Sequence, residues 1–388
     1  MKRLVVCCDG TWNGARSPYV SNVAKIARSV ETRELPPEVD QVVHYVGGVG
    51  TRYPVDRWLG GAFGFGLLAN VVDGYQFLAL NYEAGDEIFV FGFSRGAFTA
   101  RSLGGMVGRI GLLRPDRLDR IDEAVTRYRE QEDESLDTAF SREHCRTSVS
   151  IQFLGVFDTV GALGVPGPFK KRHQFHDIRL SSAVRTARQA LAIDERRRVF
   201  EPCLWDRQTS AEEPDRVKQV WFEGDHSDVG GGAYRETGLC DTALLWMIVE
   251  AHRRGLLFDL DRVSGFLDTG SPATRHDPMR LGFRISNLLR RVWQGIARSA
   301  GGRRFRGDVR LLEQEQDAAV LTATSAWSHW QESDDYRAAA PNIDWWQQAR
   351  GEVDPGALDH ADALPSQPVR ALLSARGVDL SQPASPGA

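Results

Sequence analysis

Five short runs rich in Val, Ile, Leu and Phe recur along the chain, and they are continuous rather than alternating. They are LVVCC (4–8), VVHYV (42–46), EIFVFGF (87–93), VSIQFLGVF (149–157) and KQVWF (218–222). A strand covered on one face alternates apolar with polar residues, whereas an unbroken apolar run fits a strand buried on both faces. Parallel sheets are buried in that way, and they need crossover helices. Helical patterns lie between the runs. Ser21 or Asn22 can cap a helix with Val23, Ile26, Ala27 and Val30 on one face. Leu67, Val71, Tyr75, Leu78 and Tyr82 repeat at helical spacing, and Gly85 can close that helix. A third helix follows Ser94, and Asp241 is the expected cap of a fourth, TALLWMIVEAHRR. The fold class expected is α/β: a three-layer α/β/α sandwich with a mostly parallel sheet and ligands at the carboxyl ends of its strands.

The pattern weakens after about residue 256. Composition therefore suggests a catalytic α/β body over 1–255 and a mainly helical C-terminal extension over 256–388, whose tail QPASPGA reads as disordered. The apolar run at Leu4 is stopped by Asp9, too early for a signal-peptide core. The longest apolar stretch, 59–72, is short of the roughly 18–20 residues of a membrane span. The expectation is a soluble protein, cytoplasmic or exported without a cleaved signal. A net charge of -4 argues against a nucleic-acid partner. The five cysteines lack C-x-x-C spacing and read as reduced core thiols.

Gly92-Phe93-Ser94-Arg95-Gly96 is the G-x-S-x-G of the chain. A nucleophilic serine of this kind sits on a strained strand-to-helix turn that lifts its hydroxyl above the sheet. Side chains two residues to either side would crowd that turn, so Gly92 and Gly96 are needed. The helix opening at Arg95 aims backbone N–H groups at the reacting carbonyl oxygen, a first oxyanion donor. The alternative is an inert structural turn; the preceding strand and following helix favour the nucleophile.

In such hydrolases the acid and then the base follow the serine along the chain. Asp158 ends the next strand, and His226 follows the strand after that, in EGDHSDVGGG. Ser94, Asp158 and His226 are therefore the expected triad. Asp225 and Asp228 are rivals for the acid, but neighbours so close in sequence rarely face the same imidazole; Asp228 is read as supporting. The first strand ends in Asp9-Gly10-Thr11. The loop there supplies the second oxyanion N–H, so Gly10 and Thr11 are candidates and Asp9 a supporting residue. D-G-T also occurs in haloacid-dehalogenase-type phosphatases, but their nucleophilic aspartate would fall on Cys7.

Several blocks together resemble the catalytic-domain family of type VI secretion phospholipase effectors of the first class (Tle-like), within the α/β-hydrolase superfamily. They are CCDGTWN (7–13), GGVGTR (47–52), NYEAGDEIFVFGFSRGAFTARSL (81–103), FLGVFDTVGALG (153–164), ALAIDERRRVFEPCLW (190–205) and VWFEGDHSDVGGG (220–232). The resemblance carries the family's Ser–Asp–His triad onto Ser94, Asp158 and His226. It implies a phospholipase acting on glycerophospholipid esters and leaves an immunity or secretion partner open. One departure is Gln189, where relatives are expected to have histidine.

The function expected is hydrolysis of a carboxylic ester, foremost a phospholipid acyl ester, through an acyl-enzyme, with no metal or organic cofactor. A thioesterase or small-ester hydrolase would use the same triad. A non-catalytic binding domain is the other alternative, and the intact set of three residues argues against it. Two further segments stand out. Asp194–Arg198 is a charged block, expected on a helix opened by Ser181 or Ser182; it reads as an ion-pair network rather than a phosphate-binding cluster. Residues 285–298 form an amphipathic pattern with Leu288 and Trp293 on one face and Arg290, Arg291 and Arg298 beside it. That helix either packs on the core or makes a peripheral contact with an anionic membrane.

Overall fold

The computed structural model describes residues 1–10, 13, 19–48, 62–130, 138–160, 180–205, 215–267, 274–279, 283–284, 287–288, 305–312 and 320–350. Seven strands make its main sheet: β1 (Lys2–Cys8), β2 (Asp40–Val46), β3 (Glu87–Phe93), β4 (Ile151–Phe157), β5 (Ala187–Ala192), β6 (Val217–Phe222) and β7 (Val320–Thr322). Their order in space is β2-β1-β3-β4-β5-β6-β7. Every neighbouring pair is parallel.

Helices cover both faces, which explains the unbroken apolar runs. Leu4, Val6, Cys8 and Val90 point to one face, with α2 (Ala62–Asn81) and α3 (Arg95–Ile110). Val5, Cys7, Phe89 and Phe91 point to the other, with α1 (Asn22–Ser29), α4 (His226–Gly230) and α5 (Gly238–Arg253). The period of two is present, but both sides of it are apolar. The C-terminal part is helical as expected: α6 (Thr324–Glu332), α7 (Asp334–Ala339) and α8 (Pro341–Arg350). Trp327, Trp330, Ile343 and Trp346 bury themselves in the same core as α5. No helix among the described residues is long and apolar enough to cross a membrane.

Local chemistry accounts for the helix starts. Ser21 caps α1 by accepting the Ala24 N–H at 3.1 Å. Helix α5 begins earlier than expected, with Thr237 at its N-cap. Asp241 lies inside the helix, fully buried, where it ion-pairs with the buried Lys25. A residue that looks like a cap in sequence is thus the counter-ion of a buried lysine. Asn22 adds to this link from α1, donating to the carbonyls of Val229 and Cys240 at 2.9 and 2.7 Å.

The helix expected over the Asp194–Arg198 block is not formed. The chain runs instead as β5, a turn, and a short 3-10 segment at Arg198–Phe200. Tertiary packing overrides the local pattern here, because Arg188 in the centre of β5 is wholly buried and paired with Glu250 at 2.5 Å and Asp215 at 3.1 Å. Of the amphipathic segment 285–298, only Asn287 and Leu288 are described. Leu288 is 60% exposed, and Asn287 is buried against Arg196 and Asp308. Trp293, Arg290, Arg291 and Arg298 lie outside the described residues.

Candidate active site

The chain leaves β1 for β2 on one side and returns to β3 on the other, so strand order reverses between β1 and β3. The carboxyl ends of those two strands are where a parallel α/β sheet opens a crevice. Asp9 and Gly10 follow β1 there, and Ser94 follows β3. Phe93 and Phe157 are in register on β3 and β4, so Asp158 comes off the sheet beside Ser94. The Ser94 N–H donates to the Phe157 carbonyl at 3.0 Å. His226 comes off β6 through a three-residue loop and opens α4.

Ser94 and Asp158 are, among the described residues, the two non-glycine residues with left-handed φ, at 57° and 35°. Each such conformation costs about 1–3 kcal/mol. Burying one phenylalanine stabilises by about 2–3 kcal/mol, and Phe91, Phe93 and Phe157 are all buried around the turn. The strain is therefore offset locally. The glycines of the elbow are sterically required. A Cβ on Gly96 would stand 2.2 Å from the Cys8 carbonyl oxygen, and one on Gly92 would stand 2.5 Å from the Gly96 oxygen.

His226 Nδ1 lies 2.5 Å from Asp158 Oδ2. The imidazole is held between Phe93 and Phe200, each with its ring centroid 4.7 Å away. Asp158 is fully buried and also accepts the Ala192 N–H at 3.1 Å. Both of its oxygens meet Arg310, at 2.7 and 3.1 Å. Burial pushes the Asp158 carboxyl up, but the Arg310 charge and the His226 contact outweigh it and hold the group well below the usual carboxylate range. The Ser94 hydroxyl does not cap α3. It forms no hydrogen bond with His226 among the described contacts, a link that is often open in a free enzyme and closes on substrate.

The remaining candidates surround this centre. Asp9 is buried, with Oδ2 accepting from Ser21 at 2.7 Å and from Tyr45 at 2.5 Å. Its Oδ1 takes the Gly10 N–H at 2.6 Å, so that donor is already engaged. Thr11 lies outside the described residues. Arg95 occupies the first turn of α3, and desolvation pulls its guanidinium down to about 10. Asp225 and Asp228 form a reciprocal cap on α4. Asp228 also binds His276 Nδ1 at 2.6 Å, and His276 stacks on Tyr234 at 3.6 Å. These two aspartates shape the loop that carries His226, while Asp158 is the carboxylate on its imidazole. Gln189 is buried in β5 and donates to the Cys203 carbonyl at 3.0 Å. Among the described residues no group of three or more His, Cys, Asp or Glu could hold a metal ion.

The charged block sits directly behind the histidine. Glu195 is fully buried and accepts from the Arg197 guanidinium at 2.6 and 2.9 Å and from the His226 N–H at 3.3 Å. Arg197 stacks over Phe200 at 4.3 Å. Arg196 reaches the Ala339 carbonyl, and Arg198 reaches Asp308. Arg197→Ala would leave Glu195 buried without its counter-charge, a loss of about 3 kcal/mol. Thermal denaturation should show a lower melting temperature, with the preference between anionic and neutral esters unchanged. A loss confined to phosphate-bearing esters would instead make Arg197 a substrate contact.

Comparison with known proteins places the chain in a family. The model of the Tle1-like catalytic domain of type VI secretion phospholipase effectors matches residues 2–250. An uncharacterized protein of Saccharomyces cerevisiae is 30% identical over 227 residues, covering 51% of this chain and 32% of the yeast protein. The chain thus spans about a third of the length of that relative. Among solved structures, an uncharacterized protein from Pseudomonas aeruginosa aligns at 21% identity over 97% of this chain and 66% of its own, with a TM-score of 0.42. A Tle1 effector bound to the VgrG spike of the type 6 secretion system aligns at 16% identity over 76% of this chain and 60% of its own, with a TM-score of 0.34.

Proposed function

This chain belongs to the Tle1-like catalytic-domain family of type VI secretion phospholipase effectors, and on that premise we propose that it cleaves carboxylic esters through an acyl-enzyme on Ser94, with glycerophospholipid acyl esters as the substrate class. The observation that carries the mechanism is the 2.5 Å contact of His226 Nδ1 with Asp158, beside a serine on a strained turn. With Asp158 ionised, the Nδ1 proton stays between the two, and Nε2 is left to accept the Ser94 proton. Ser94 Oγ then attacks the acyl carbonyl. The developing oxyanion is met by the Arg95 N–H at the start of α3 and by a second donor from the loop after β1, for which Thr11, next in sequence to the engaged Gly10, is the remaining candidate. His226 returns the proton to the leaving alcohol, and water repeats the sequence to release the fatty acid.

In this reading a secretion apparatus or an immunity protein is a partner of the effector class, and the lipid is met at a membrane surface. A panel of p-nitrophenyl esters, acyl-CoA thioesters and phospholipids tests the substrate class. Turnover of thioesters alone would replace the phospholipase reading with a thioesterase, and inertness toward all three would favour a binding domain.

The acid is tested separately. Asp158→Asn is expected to reduce turnover by up to about 10⁴-fold, because it disturbs the imidazole tautomer. Asp228→Asn should keep most of the turnover and lower the melting temperature through the weakened cap of α4. The reverse pattern in steady-state kinetics would move the acid role to Asp228.

A further inference from the structure

Asp158 does not stand alone with its histidine. Arg310 is 152 residues away in sequence, on a two-residue strand Val309–Arg310 paired with Phe305–Arg306. It is as fully buried as Asp158 itself. One guanidinium nitrogen reaches Asp158 Oδ1 at 2.7 Å and the Ala192 carbonyl at 3.0 Å. The other reaches Asp158 Oδ2 at 3.1 Å and the Phe200 carbonyl at 2.5 Å. Oδ2 is also the oxygen that His226 meets, and Phe200 supplies one of the two rings against the imidazole.

We propose that Arg310 is a positioning residue for the reaction: its fork fixes the plane of the Asp158 carboxylate and the place of Phe200, and so aims His226 at Ser94. The proposal rests on the Ser94–His226–Asp158 reading and adds to it a residue from beyond the family-matched segment. The chemistry favours arginine here. A planar guanidinium grips both oxygens of a carboxylate, whereas an ammonium is a point charge. A lone buried carboxylate would be driven toward protonation, and a protonated acid could not hold the imidazolium that forms during attack. Arg310 keeps it anionic without a proton. The other charged groups around His226 are Glu195, which accepts its backbone N–H, Asp225, which precedes it in the chain, and Arg197, which lies on both of them. Arg197 opposes those two carboxylates, while Asp158 is the carboxylate that Arg310 meets among the described residues.

The test uses the full chain, a p-nitrophenyl ester and a fluorophosphonate probe of Ser94. Arg310→Met is expected to lower kcat by about 10²-fold with little change in KM, the effect of a misplaced catalytic group. It should also move the acid limb of the kcat/KM profile upward, because Asp158 loses the charge that holds its carboxyl low. Arg310→Lys should restore the limb and only part of kcat. An Arg310→Met protein with wild-type kcat and an unmoved limb would overturn the proposal. If that variant does not fold, Arg310→Lys decides: slower probe labelling at a retained melting temperature supports the role of the fork, and labelling at the wild-type rate overturns it. Failure of the underlying triad is read elsewhere, as activity surviving in Ser94→Ala or as probe labelling at another residue.

Discussion

Ser94→Ala is expected to abolish ester hydrolysis and leave the fold intact. The substitution removes one oxygen and keeps the Cβ, so the strained backbone at φ 57° is asked for nothing new. The hydroxyl caps no helix N–H, so its loss leaves no capping bond to break. Losing the nucleophile of a triad typically costs about 10⁴–10⁶-fold in turnover. The decisive measurement is hydrolysis of a p-nitrophenyl ester by a variant whose melting temperature matches the parent, alongside fluorophosphonate labelling of the parent. Full activity in Ser94→Ala would end the esterase mechanism proposed here.

His226→Ala should be about as damaging, because serine and base act as one unit and removing either removes the same step. The fold is expected to pay more heavily than it does for the serine. The imidazole fills the space between Phe93 and Phe200 and bonds Asp158. Truncation leaves a cavity lined by two rings and a carboxylate held only by Arg310 and the Ala192 N–H among the described contacts. His226→Gln fills more of that space and should recover stability without recovering turnover. A His226→Ala enzyme within tenfold of the parent would remove this histidine from the mechanism.

The centre of the molecule was legible in the sequence because local patterns carry it. The runs at 4–8, 42–46, 87–93 and 218–222 lie on strands of the sheet, and 149–157 does from Ile151 onward. Ser94, Asp158 and His226 each follow such a strand, and the structure brings Asp158 and His226 into contact beside the serine turn. What escaped was governed by partners far along the chain. β5 carries Arg188 and Gln189 in its centre, so ARQALA does not look like a buried strand. Its charge is acceptable only because Glu250 and Asp215 wait for it. β7 has three residues, too few for any periodic signal. Arg310 lies in a stretch crowded with arginines at 303, 304 and 306. No local feature separates the buried Arg310 from the exposed Arg306. The Asp194–Arg198 block is the opposite case: its charge density is plain in the sequence, but the chain there is not helical.

The placement of β7 has a consequence for how the chain can be divided. It pairs in parallel with β6 through Val320, Leu321 and Thr322, and so covers the outer hydrogen-bonding edge of that strand. The segment matched by the family model ends at residue 250, some seventy residues before this cover is synthesised. During that interval, or in a fragment cut at the boundary, β6 presents a row of unpaired N–H and C=O groups on an apolar strand. Such an edge is a template for a second chain. A truncated product should therefore aggregate through edge-to-edge pairing, even with all three residues of the proposed triad in place.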